Sequence, residues 1–437
     1  MQSVSSVHAS QASSLQIHPS WMIVGSFYLL LLAFVWGSPN FQNTATNRIS
    51  PLGSDFLQEW VGGYVWASSE SAQLYDSQFT NAVQHDSALV GFSWDTNKYY
   101  PMVYPPFYYL LVSPLSKLSY VHAMFLWMLG IATIAAGTLV YWIRTNGWAG
   151  QHWWKFLLVM MLFQPLLVSF STAHKSVLLL AILTGTYGLL QKRCDFRAGL
   201  VFGLMAFKPH LCIPFGLVML LKNKWSFTLG SLSTVGVLIG LSFLAGPDLC
   251  HDYFWQCISM TQYENTSGYL LVDSCNLKGA ISLSFGAGSI ATQIIFWILA
   301  AVVLGMLCCA LRGSIEPHSQ RFGVQFSLLI IATVLLSPHF YLYDLTMMLL
   351  PMAILAQQIL TGTWRAFPGE AKAIGAVLVL LYLASGVATN IALSTSIQPV
   401  MPILFVLAYC LSRISLLMET CRSEPVDNRS IDVLGFT

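Results

Sequence analysis

The chain has 437 residues, of which 56% are hydrophobic and only 9% charged. A soluble domain carries about 25% charge, so this composition excludes a water-soluble globular protein. The net charge of +2 and the lack of any basic tract argue against a nucleic-acid partner.

Long apolar runs such as 156–170 and 374–383 suit a bilayer core, which needs about 20 mostly apolar residues per helix. Backbone polar groups must satisfy one another there, which leaves helices or closed barrels. No ten-residue alternating segments of the barrel kind occur. The fold class is therefore all-α and polytopic.

The residues before Pro19 are polar and lack a basic n-region, so the first apolar run (21–37, within a segment 19–37) is expected to be a retained transmembrane helix. A first outer loop, 38–103, follows. Inside it, 55–68 places Phe56, Trp60, Val61, Tyr64 and Val65 at helical spacing, which predicts a helix lying at the membrane interface. Trp60, Tyr64, Trp66, Tyr75, Trp94, Tyr99 and Tyr100 read as an aromatic belt at headgroup depth. The segment 104–118 is apolar but short and punctuated by prolines, which predicts a re-entrant or interfacial piece.

Further helices are predicted over 123–143, 156–171, 176–191, 197–207, 211–221, 226–245, 289–311, 323–336, 341–360, 373–392 and 400–417. Two of these, 197–207 and 211–221, are too short to span alone at 1.5 Å per residue. Pro209 accounts for the break between them. Gly199/Gly203 and Gly236/Gly240 have the small-xxx-small spacing of closely packed helices. Orientation follows from the basic groups Arg144/Lys155, Lys192/Arg193/Arg197, Lys222/Lys224, Arg312/Arg321, Arg365/Lys372 and Arg413/Arg422, all cytoplasmic by the positive-inside rule. The loops 38–103 and 246–286 then lie outside, and 418–437 forms a cytoplasmic tail.

The nine cysteines include no C-x-x-C pair, so zinc and thioredoxin chemistry have little support. Cys250, Cys257 and Cys275 share one outer loop; a disulfide fits there, and unpaired thiols are the favoured reading. No carboxylate cluster has metal-ligand spacing, so neither a metal nor another cofactor is expected.

Ionisable groups beside the hydrocarbon layer are costly and each needs a reason. Asp55, Glu59, Tyr104, His174, Lys175, Lys208, His210, Glu264, His339 and Asp344 all fall near outer helix ends, as around a cavity opening outward. Several carry a plain structural alternative. Asp55 could be a helix-start acid held by the dipole or a general base. Lys208 could snorkel beside a proline break or line a cavity wall, the favoured reading. His174-Lys175 could be an ordinary polar turn, and His339 with Asp344 a satisfied pair.

Taken in order, Ser54-Asp55-Phe56, Leu74-Tyr75-Asp76, Tyr104-Pro105-Pro106-Phe107, Ser113-Pro114-Leu115, Phe207-Lys208-Pro209, Lys222-Asn223-Lys224-Trp225, Leu336-Ser337-Pro338 and Tyr343-Asp344 form a pattern. It resembles glycosyltransferase family 87, polyprenol-phosphate-mannose-dependent mannosyltransferases of the GT-C superfamily, over roughly 54–351. The resemblance implies a GT-C-type bundle of about 11–13 transmembrane helices with an outer-loop interfacial helix. It implies Asp55 as catalytic base, with the Lys-Pro and Ser-Pro turns bordering the site, hence Lys208 and His339. One departure stands out: Ala173-His174-Lys175 occupies the place of the family's usual Gly-Gln.

The chemistry then expected is transfer of a hexose, mannose first, from a polyprenyl-phosphate donor to a lipid-linked or glycan acceptor. It would take place at the outer face of the plasma (inner) membrane, with inversion. Lys208, His174, Lys175 and His339 are the expected donor-phosphate groups. Glu59, Tyr104, His210 and Asp344 are the expected substrate contacts. A flippase or transporter of a lipid-linked sugar is the main rival, but it predicts polar groups along a full transmembrane path. A glycan polymerase or ligase would use outer-loop arginines, and the first outer loop has only Arg48.

Overall fold

A computed structural model describes residues 19–37, 53–244, 246–259 and 270–423. Glu264 and the sequon Asn265-Thr266-Ser267 lie outside the described residues. The described chain is helical, with one isolated antiparallel bridge between Ser274 and Tyr341.

Among the described residues, six helices are long and apolar enough to cross a membrane. They are Tyr120–Thr145, Trp225–Leu244, Ile290–Ala310, Leu342–Leu360, Pro368–Thr395 and Val400–Thr420. A seventh span arises if Trp153–Met161 and Gln164–Ser171, bent by 58°, count as one. Pro19–Ala33, Ser176–Gln191, Pro209–Leu221 and Gln320–Leu336 are apolar but shorter. The protein is thus an all-α polytopic membrane protein, and helix length by itself supports fewer full crossings than the 11–13 expected. The bend in 153–171 was not foreseen. Pro165 sits in the first turn of Gln164–Ser171, a position where its missing N–H costs nothing; the same ring disfavours helix just before it.

We label the elements used below in chain order: α1 Phe56–Ala67, α2 Pro106–Val112, α3 Tyr120–Thr145, α4 Gln164–Ser171, α5 Ser176–Gln191, α6 Asp195–Gly203, α7 Pro209–Leu221, α8 Trp225–Leu244 and α9 Pro368–Thr395.

The predicted outer-loop helix exists as α1, and it is buried on nearly every side. It packs on α2, on the following 3-10 turn Ser113–Lys117, and on α3. Gly62 and Gly63 permit this approach. A Cβ on Gly62 would fall 2.1 Å from the Tyr109 ring, and one on Gly63 would fall 3.1 Å from the Ser113 backbone. The aromatic-belt reading fails for Trp60, Trp94 and Tyr100, which are buried inside the protein. Each has a polar partner there: Trp60 Nε1 donates to the Leu118 carbonyl (3.3 Å), Trp94 Nε1 to the Gln84 carbonyl (2.8 Å), and the Tyr100 hydroxyl lies 3.1 Å from Ser54 Oγ. Indole and phenol groups suit such half-apolar sites.

The 104–118 segment forms α2 and a five-residue 3-10 turn, too short to cross a bilayer at 1.5 Å per residue. The break at Lys208-Pro209 occurs as expected. The 3-10 turn Leu204–Phe207 closes α6, Lys208 caps α7, and Pro209 occupies its first position.

Gly199 and Gly203 do bring helices together. Added Cβ atoms would fall 2.0 Å from the Phe227 carbonyl oxygen and 2.7 Å from that of Ser231. Gly230 completes the α6–α8 seam, since an added Cβ there would fall 2.1 Å from the Phe196 carbonyl oxygen. Gly236 and Gly240 have nothing within 4 Å, so their spacing marks no helix contact in the structure.

Candidate active site

Asp55 stands just before α1, set there by two successive left-handed residues, Gly53 (φ 66°) and Ser54 (φ 41°). An added Cβ at Gly53 would meet Met124 Sδ at 2.6 Å, so a larger residue there would also require the Met124 side chain to shift. Left-handed backbone at a non-glycine residue costs about 1–2 kcal/mol, a strain that recurs at functional sites. Asp55 does hold the N-cap position of α1, where the helix dipole favours an acid, but its side chain makes no capping hydrogen bond. Its Oδ2 is buried with no partner among the described residues.

One turn on, Glu59 shares the face of Asp55 at i+4. Its carboxylate pairs with Lys175 Nζ, both side chains being buried. The Lys175 ammonium also lies 3.4 Å from the Tyr104 ring centroid and 4.8 Å from that of Tyr108. Lys175 is therefore enclosed by a carboxylate and two aromatic faces rather than open to a ligand.

Lys175 is presented by the turn between α4 and α5. That turn is a Schellman motif: His174 N donates to the Ser169 carbonyl (2.8 Å) and Ala173 N to the Phe170 carbonyl (3.2 Å). Ala173 occupies the left-handed position, φ 50°, where glycine is favoured. The turn keeps its shape with alanine there, aided by Trp127 Nε1 donating to the Ala173 carbonyl at 2.8 Å.

The second ion pair is Lys208 Nζ to Asp344 Oδ1, 2.6 Å, also buried. Ser176 Oγ donates to the same oxygen at 2.9 Å, and His174 Nδ1 lies 2.7 Å from Ser176 Oγ. The His174 ring stacks on Tyr343 with centroids 3.8 Å apart. His210, beside Lys208, faces His339 with centroids 6.5 Å apart. The Ser-Pro turn carrying His339 is tied down by Asn276 Nδ2, which donates to the Ser337 carbonyl at 2.6 Å.

Every expected site residue among the described ones therefore falls in one neighbourhood: Asp55, Glu59, Tyr104, His174, Lys175, Lys208, His210, His339 and Asp344. Reading the sequence did not single out Ser176, Tyr108, Asn276 or Asp273. Ser176 and Tyr108 looked like ordinary helix residues, and their roles arise only from partners far along the chain, Asp344 for Ser176 and Lys175 for Tyr108.

The charges do not balance evenly. Glu59 takes Lys175 and Asp344 takes Lys208, which leaves Asp55 as the third acid, with no ion-pair partner among the described residues. Burial is the main force raising its carboxyl to about 7, with Glu59 and Asp344 adding to the rise and Lys175 and Lys208 opposing it. Burial likewise pulls Lys175 down to about 8 against the pull of Glu59. Burial, with Lys208 and Lys175 nearby, pushes His174 well below its ordinary value, so His174 serves as a neutral hydrogen-bonding group rather than as a cation.

Two cavities border this cluster. One, of about 350 Å³, is lined by Asp55, Tyr343, Gln164, Asp273, Thr389 and Asn390 among others. The other is an apolar groove of about 590 Å³ between α2, α7 and α8, which reaches Pro105 and Pro209, the neighbours of Tyr104 and Lys208. Among the described residues no group of three or more His, Cys, Asp or Glu could hold a metal ion. Cys250, Cys257 and Cys275 are thiols.

A family model for glycosyltransferase family 87 matches residues 102–338, just over half of the chain. The chain belongs to glycosyltransferase family 87. No curated protein and no solved structure matches it. The family match includes Tyr104, His174, Lys175, Lys208 and His210, while Asp55, Glu59, His339 and Asp344 lie outside it. The ion pairs Glu59–Lys175 and Lys208–Asp344 join the two sets. The chain is thus a membrane glycosyltransferase whose candidate site combines family-matched residues with flanking ones.

Proposed function

We propose that this glycosyltransferase moves a hexose, mannose first among candidates, from a polyprenyl phosphate to a lipid-linked or glycan acceptor. The observation that carries the proposal is the Asp55 carboxyl, left without an ion-pair partner among the described residues, which lines a cavity of mixed polar and apolar residues next to two lysines already neutralised by other acids.

In the reaction, the acceptor hydroxyl oxygen attacks the anomeric carbon while Asp55 takes its proton. The bond from that carbon to the phosphate oxygen breaks on the opposite face, so configuration inverts. The electron pair leaves with polyprenyl phosphate. Lys208 has three N–H donors, and Asp344 takes one of them. The others would bind the phosphate oxygens, with His210 and His339 alongside. Because the Lys208–Asp344 pair is close to neutral overall, directed hydrogen bonds rather than net charge would carry the leaving group.

Lys175 and Glu59 would act as positioning residues, holding α1 and its Asp55 against the α4–α5 turn. His174 and Ser176 would orient Asp344. The apolar groove beside Pro105 and Pro209 suits a prenyl tail. The site would face the outer side of the plasma membrane, as the distribution of basic residues implies.

The test is transfer of radiolabelled sugar from polyprenyl-phosphate-mannose to endogenous lipid acceptors, in membranes holding wild type or Asp55→Asn at matched expression. Label transferred by the wild type alone supports the proposal. An equally active D55N variant removes Asp55 from the chemistry. A wild type silent with a panel of lipid-phosphate sugars removes this donor class.

A further inference from the structure

The 350 Å³ cavity has a second acid, Asp273, which the mechanism above does not use. It stands in the second outer loop, and the stretch around it is strapped down on both sides. Thr389 Oγ1 of α9 donates to Asp273 Oδ1 at 2.5 Å, and Gln398 Nε2 donates to the Val272 carbonyl at 2.7 Å. Cys275 N donates to the Phe340 carbonyl at 2.8 Å. A loop held this way presents its acid in a fixed place. Beside it runs α9, a largely apolar span whose Thr389 and Asn390 line the same cavity. Polar side chains within an apolar span are costly and point to a function.

The cavity and the apolar groove share no lining residue. Asp55 lines the cavity and not the groove, and Tyr343, another cavity residue, has its ring centroid 5.8 Å from the Lys208 ammonium. In an inverting displacement the base and the leaving phosphate lie on opposite sides of the anomeric carbon. With the phosphate by Lys208 at the end of the groove, the side that Asp55 faces belongs to the acceptor. The cavity is of single-ring ligand size, near the lower end of ordinary pockets, and its walls mix carboxylates, amides and a tyrosine face.

We propose that this cavity is the acceptor subsite, taking a single hydroxyl-rich sugar ring, with Asp273, Asn390 and Gln164 as its hydrogen-bonding residues. Asp273 gives one oxygen to Thr389 and keeps the other for a ring hydroxyl. The proposal rests on the glycosyl-transfer reading.

The test uses purified full-length protein in detergent, with D273N, N390A and T389V. Asparagine at 273 can still accept from Thr389 but loses the charge. A hydrogen bond to a charged group contributes about 1.5–3 kcal/mol, so D273N is expected to raise the acceptor KM at least about ten-fold, with donor KM and thermal midpoint unchanged. N390A should act in the same direction more weakly. T389V, which removes the strap and keeps the carboxylate, should move the acceptor KM less than D273N. Equal losses in T389V and D273N, or unchanged acceptor KM in both D273N and N390A, overturn the subsite.

Binding of octyl α-mannoside by calorimetry separates this proposal from the reaction. A wild type that transfers no sugar but binds octyl α-mannoside more tightly than D273N does keeps the subsite and removes the donor. A wild type that binds it no better than D273N overturns the subsite whatever the transfer assay gives.

Discussion

Replacing Asp55 by asparagine is expected to make the protein inactive and, at alkaline pH, more stable. The folded-state carboxyl is raised from 3.8 to about 7, chiefly by burial. An acid whose folded value lies above its unfolded value costs stability once ionised; the cost begins near the unfolded value and is complete above the folded one. Each unit is worth 1.36 kcal/mol. The cost of Asp55 is therefore under about 1 kcal/mol at pH 4, about 2 at pH 5 and about 4 at pH 8. Asparagine has nearly the same shape and never ionises, so D55N removes the pH-dependent part.

The assay is the thermal midpoint of detergent-solubilised wild type and D55N at pH 5 and pH 8, run beside sugar transfer. The advantage of D55N should grow by about 2–3 kcal/mol between the two pH values. Transfer should fall by about 10²–10⁴-fold, the range for loss of a general base. In the wild type, kcat/KM should rise about ten-fold per pH unit below 7 and level above it, as the base loses its proton. A D55N advantage that is the same at pH 5 and pH 8 refutes the buried, unpaired acid, and transfer retained in D55N refutes its role as base.

Three further outcomes follow from the geometry. Lys208→Met should abolish transfer and lower stability by about 3–5 kcal/mol, because Asp344 is left buried and uncompensated; the double variant K208M/D344L should regain most of that stability and no activity, as measured by thermal midpoint and transfer. Gly199→Ala should destabilise by about 1–3 kcal/mol through overpacking against the Phe227 carbonyl, whereas Gly236→Ala, with open space around it, should be neutral or slightly stabilising; equal midpoints would contradict the α6–α8 seam. Ala173→Gly should leave transfer intact and hold or raise the midpoint by up to about 1–2 kcal/mol, because φ is 50° there; a loss of activity would show that the alanine side chain itself matters.

Much of this was legible before any tertiary structure. Pro209 marked the break between α6 and α7, and the structure places Lys208 as the cap that the break creates. The short, proline-bounded 104–118 segment read as too short to span, and it folds as a seven-residue helix and a five-residue 3-10 turn. Asp55, Glu59, His174, Lys175, Lys208 and Asp344 stood out as a candidate site, because ionisable groups near hydrocarbon are too costly to place idly, and the structure brings them into one neighbourhood. Other readings failed where local pattern was ambiguous. Gly236/Gly240 has the same spacing as Gly199/Gly203 and packs on nothing within 4 Å, since spacing cannot say which face meets a neighbour. The aromatics of the first outer loop looked like a headgroup belt, yet Trp60, Trp94 and Tyr100 found buried polar partners instead.

The sequence by itself determined the solvent of this protein, its helical class and the set of costly residues, because burial of charge and backbone is priced locally, residue by residue. Only the tertiary structure decided which acid was left over. Glu59, Asp344 and Asp55 are equivalent as sequence; they differ because Lys175 and Lys208 reach the first two across more than a hundred positions and reach no such contact with the third. Pairing is a matter of distance in space, and that distance is set by the packing of helices far apart in the chain.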